Sequence, residues 1–76
     1  MDISQYDIEI KRHAFIRAME RGITPDMIEA TIKGGVVKKF GKNNVKFSKK
    51  YKHFTVICVD EIIGHTIKIF TIEKKV

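Results

Sequence analysis

Two adjacent glycines, Gly34 and Gly35, divide the chain into stretches of different periodicity, and that division limits the folds open to it. Ahead of them, apolar residues recur at helical spacing. Ala14, Phe15, Ala18 and Met19 mark one stripe from about Lys11, and Gly22 ends that segment. "ITPDMIEATIKGG" then carries a full set of helix signals. Thr24 is placed to cap it, Pro25 takes the first helical position and Asp26 meets the positive helix end. Ile23 and Ile28 have the spacing of a hydrophobic staple, and the two glycines supply the stop.

Behind the glycines the signals turn to strand. "VVKKF", "VKFSK", "HFTVICV" and "TIKIFTIE" are rich in branched and aromatic residues, with "GKNN", "KKYK" and "DEIIGH" as connections. "HFTVICV" is apolar at every second position and between, which predicts a central strand covered on both faces. In the last strand, simple alternation sets Ile67, Ile69 and Thr71 on one face and Lys68, Phe70 and Ile72 on the other. The opening "YDIEI" alternates apolar and acidic residues and reads as a short extended segment. The expected architecture is α+β: two N-terminal helices packed on one face of a four-stranded antiparallel sheet.

At 76 residues this is a single domain, residues 1–76, whose core is small enough that a second copy or a bound partner would add stability. The lone Cys58 sits in an apolar run, so no internal disulfide forms and a buried structural thiol is expected. No segment has the length of a membrane span or the pattern of a signal peptide, which predicts a cytoplasmic protein. The histidines and the cysteine lack the spacing of a zinc site, and no phosphate-cradling glycine motif occurs, so no cofactor is expected.

Charge is more informative by position than by total. The formal net charge is +6, and eight lysines without one carboxylate lie between Lys33 and Lys52. Lys38, Lys39, Lys42, Lys46, Lys49, Lys50 and Lys52 are candidates to hold a nucleic-acid backbone. Phe40, Phe47, Tyr51 and Phe54 fall among them, as core-facing residues or as surfaces for base stacking. In "RHAFIRAMERGIT", His13, Arg17 and Arg21 are four apart and share one helical stripe at the margin of the apolar one. Like charges at that spacing repel mildly, and a bound anion would relieve them, as would Glu20, Asp60 or Glu61 as an ion-pair partner.

"HAFIRAMERGITPDMIEATIKGG" resembles the opening of a family of small bacterial and archaeal proteins known as a domain of unknown function. The resemblance rests on His13-Ala14, Arg17, Arg21-Gly22-Ile23-Thr24 and a closing strand carrying Thr71. That family is similar in fold to RelE and ParE toxins and to the wider barnase, EndoU and colicin nuclease group. The resemblance implies an RNA-cleaving domain that works without metal and is neutralised by an antitoxin protein, with Thr71 as a hydrogen-bonding orienter. Its RNA would include ribosome-associated messenger.

The residue chemistry agrees. Metal-free RNA cleavage needs two proton carriers and cations for the phosphate. Histidine exchanges protons near neutrality, and the planar fork of arginine fits two phosphate oxygens. His13, Arg17 and Arg21 are the candidate catalytic set. His53, His65, Tyr51 and Lys46 are the candidates for the second carrier, although His65 lies about 20 Å from Thr71 along an extended strand. Two rival readings keep the fold: a non-catalytic module binding nucleic acid or protein, and a gyrase inhibitor of the ParE type.

Overall fold

A computed structural model describes residues 3–76. A single 3-10 turn, Ile3–Gln5, leads into strand β1, Asp7–Ile10. Helices α1, Arg12–Glu20, and α2, Pro25–Gly34, follow. Four strands complete the chain: β2, Val36–Phe40; β3, Asn44–Lys50; β4, Thr55–Ile63; and β5, Thr66–Lys75. The fold is α+β, as the sequence implies, but the sheet has five strands in the order β1-β5-β4-β3-β2.

The extra strand corrects the four-stranded expectation. "YDIEI" is not merely extended: Asp7–Ile10 pairs in parallel with Thr66–Ile69, which makes the sheet mixed and puts both helices between β1 and β2. Its partner lies at the far end of the chain, so no hairpin signal announces it.

The second helix follows its punctuation closely. Thr24 Oγ1 accepts from Met27 N at 3.3 Å, and Ile23 and Ile28 are both buried in the core. Its stop works by close approach instead of handedness. Gly35 has an ordinary extended φ of −83°, but a Cβ there would run into the backbone oxygens of Thr31 and Ser48. Only glycine lets the chain turn off the helix directly against β3.

The core lies between the helices and one face of the sheet. Phe47, Val56, Cys58, Ile67, Ile69 and Ile72 fill it from the strands, and Ala14, Ala18, Ile28 and Ile32 from the helices. β4 is central, yet it is covered on one face only. Val56, Cys58 and Asp60 are buried, while Ile57 and Val59 opposite them are half-buried. Apolar residues on the bare face masked the alternation that marks a one-sided strand.

A β-bulge changes the parity of β5. Val59 pairs with Thr71 but Asp60 pairs with Ile69, so Phe70 is an extra residue on β5. Ile67, Ile69 and Ile72 therefore all reach the core, and Thr71 turns to the bare face. The grouping of Ile67 and Ile69 with Thr71 by simple alternation is thereby overturned. Three buried isoleucines at uneven spacing can share a face only if one residue between them is skipped.

Candidate functional site

Ala14 and Ala18 are the buried residues of α1, and their small side chains let the helix settle against β5. One position earlier on each turn, His13 and Arg17 emerge on the flank of the helix; Arg21 is its C-cap residue. The sheet ends early beneath this flank. Lys11 N donates to Ile69 O at 3.0 Å, and beyond that bond β1 no longer accompanies β5. From Phe70 onward β5 has a free edge.

Helix flank and free edge enclose a half-open cleft of about 400 Å³. His13, Arg17 and Arg21 line one wall, and Phe70, Thr71, Glu73 and Lys74 line the other. Thus all four residues nominated as catalytic from sequence border one space. His13, Arg17 and Thr71 are exposed, so the imidazole is not sealed in packing. Among the described residues the ion pairs are Lys33–Glu29 and Lys68–Glu9, so neither Glu20, Asp60 nor Glu61 neutralises the arginines.

Arg21 reaches from the end of α1 across to β5. Its Nη1 donates to Ile72 O at 3.1 Å, and Lys74 Nζ donates back to Arg21 O at 3.5 Å. The first of these bonds uses a carbonyl that the missing strand would otherwise have engaged. A guanidinium has five N–H donors, so most remain for an anion while the head is held in place.

None of the four candidates for a second proton carrier lines this cleft. His53 is exposed in the β3–β4 connection, and His65 lies in the turn at the opposite end of β5. Tyr51 is committed to packing, with its hydroxyl 3.4 Å from Met27 O and its ring stacked on Phe54 at 5.3 Å. Lys46 sits across the sheet, two strands away from Thr71. Glu73 is the residue that sequence reasoning missed. Its signal was available, since two residues along a strand from Thr71 means the same face.

The lysine cluster divides between regions. Lys38, Lys39 and Lys46 surround a second depression, of about 330 Å³, together with Phe40 and Val59. Lys49 lies 6.0 Å from the Tyr51 ring beside the end of α2. Lys42, Lys50 and Lys52 are exposed and line neither space.

Two buried groups near the site stand outside it. Asp60 is fully buried, neither carboxylate oxygen has a hydrogen-bond partner among the described residues, and burial pushes its pKa up to about 8. Cys58 is buried and free, its thiol pushed up to about 12 by burial and then by the charge of Asp60. Such a thiol is inert packing, as its apolar context implies. No cluster of three or more His, Cys, Asp or Glu able to hold a metal occurs among the described residues. None of the helices among the described residues is long and apolar enough to cross a membrane.

Comparison with protein-family models, with curated proteins and with solved structures finds no match to this chain. The chemistry must be read from the cleft itself.

Proposed function

We propose that the protein is an RNA-directed endoribonuclease that cleaves without a metal ion, through attack of a 2′-hydroxyl on its own 3′-phosphate. One observation carries this reading: His13, Arg17, Arg21, Thr71 and Glu73 border a single open cleft. The Glu73 carboxylate accepts the 2′-hydroxyl proton as the 2′-oxygen bonds to phosphorus. His13, as imidazolium, gives its proton to the departing 5′-oxygen as the P–O5′ bond breaks. The products are a 2′,3′-cyclic phosphate and a free 5′-hydroxyl. Arg17 and Arg21 hold the non-bridging oxygens, where charge accumulates in the transition state. Thr71 orients the phosphate by a hydrogen bond.

Cleavage of a single-stranded RNA oligonucleotide in EDTA tests this. His13→Ala and Glu73→Gln should each lower kcat by about 10²–10⁴-fold while RNA binding persists. A substrate with a 2′-deoxy sugar at the cleaved position should resist entirely. Cleavage of that substrate at the normal rate would end the proposal.

One observation favours the non-catalytic binding module. Arg21 already donates to Ile72 O, which restrains its head from following a phosphate through reaction. Binding without cleavage, weakened alike by His13→Ala and Arg17→Ala, would decide for that reading. The toxin role rests on the family resemblance. It predicts that expression arrests growth and that co-expression of a neighbouring acidic protein relieves the arrest.

A further inference from the structure

The register of the sheet connects the cleft to the lysine depression. Thr71 pairs with Val59, Val59 with Lys46, and Lys46 with Lys38. Residues directly opposite one another on neighbouring strands point to the same face, so these four form one straight row across β5, β4, β3 and β2. The row lies on the face that no helix covers. It begins in the cleft at Thr71 and ends in the depression lined by Lys38, Lys46 and Phe40. Three strand spacings, about 14 Å in all, separate its ends.

The rows on either side differ from it in charge. Glu73–Ile57–Ser48–Val36 runs along one flank and Lys68–Glu61–Asn44–Phe40 along the other. Each flank carries a carboxylate, whereas the charged residues of the row between them are both lysines. A polyanion leaving the cleft over the bare face meets least repulsion on that middle row. The row Lys75–Thr55–Lys50 also lacks acid, but it starts outside the cleft and leads to no depression. At the far end Phe40 is 43% exposed, unusual for a phenylalanine, and lysines ring it. An exposed aromatic among cations is the arrangement that stacks an unpaired base while its phosphates are held.

We propose that the substrate is a single-stranded RNA laid across the strands along Thr71–Val59–Lys46–Lys38, with a base on Phe40 and the scissile phosphate in the cleft. This deepens the ribonuclease reading and rests on it for the chemistry, but the path itself is testable by binding alone. Lys38 and Lys46 contact phosphates, Val59 supplies an apolar floor, and Phe40 favours an unstacked base that a duplex cannot present.

Two measurements test it. With the unaltered protein, kcat/KM should climb from a dinucleotide to about a hexanucleotide and then level off. Lys38→Ala, Lys46→Ala and Phe40→Ala should each flatten that climb, Phe40→Ala by on the order of tenfold. Secondly, fluorescence anisotropy with a labelled octanucleotide should show weaker binding for the same three variants. Each lysine variant should also lower the salt slope by about 0.7. Lys33→Ala, which removes the same charge from α2 on the helix side, should leave affinity unchanged. Equal weakening by Lys33→Ala, or equal affinity for duplex and single strand, would overturn the path. If no RNA is cleaved but the binding pattern holds, the catalytic reading fails and the path stands. Cleavage with no dependence on length or on Phe40 gives the opposite result.

Discussion

The two halves of β5 share one strand and little else. From Thr66 to Ile69 it is flanked by β1 and β4, alternates regularly and contributes Ile67 and Ile69 to the core. From Phe70 to Lys75 it keeps only β4 as a neighbour, starts with an extra residue and presents an unpaired edge to α1. The first half is doubly paired and structural. In the second half the groups freed from pairing become available for other partners: Arg21 takes the carbonyl of Ile72, and Thr71 and Glu73 line a cleft. The cleft forms where the sheet stops being complete, because there side chains and unpaired backbone border the same open space.

The contrast can be broken most sharply at Ile72. Under the bulged register Ile72 is 1% exposed and Thr71 faces out. Ile72→Ala should cost about 2–5 kcal/mol in denaturant unfolding, and Thr71→Ala less than about 0.5. Reversed costs would restore simple alternation and remove the bulge.

Asp60 tests the boundary itself, since it pairs with Ile69, the last residue before the change. The folded chain retains its proton up to about pH 8. An unfolded aspartate releases that proton near about 3.9. A folded pKa raised in this way leaves stability full below the unfolded value. Stability then falls as pH rises toward 8 and levels off above it. Asp60→Asn abolishes this loss. Its advantage over the parent should grow from little at pH 4 to at most about 5 kcal/mol at pH 8. A pH-independent gap between the two proteins would mean that the carboxyl is solvated.

The smallest effect separates the two arginines. Arg21→Ala removes the hydrogen bond to Ile72 O and should lower stability by about 1 kcal/mol, while Arg17→Ala should leave unfolding unchanged. Equal midpoints for both variants would show that Arg21 does not brace the free edge.

Much of this was readable before any coordinates. Both helices, their punctuation and the stripe at residues 13, 17 and 21 follow from local rules that act within a few residues. Thr71 came from resemblance, and it borders the same cleft. What escaped is non-local. β1 owes its partner to pairing across nearly the whole chain, and the inward turn of Ile72 depends on a bulge that only the register with β4 reveals. Glu73 escaped for a different reason: its spacing from Thr71 was local and legible, because the bulge lies before both, but the candidates for a second proton carrier were histidines, a tyrosine and a lysine. The lysines between 38 and 52 looked like one patch because sequence proximity does not separate the two sides of a sheet.

The brevity of β1 has a consequence for how such a domain can change. The first strand acts as a ruler, its four residues setting where the shelter of β5 ends. About six further extended residues between Ile10 and α1 would zip the remaining edge, Phe70–Lys75, and push α1 outward. Such a protein would keep its layers and its interior while its mouth was sewn shut. In this architecture, opening or closing a site is a matter of strand length before it is one of residue identity.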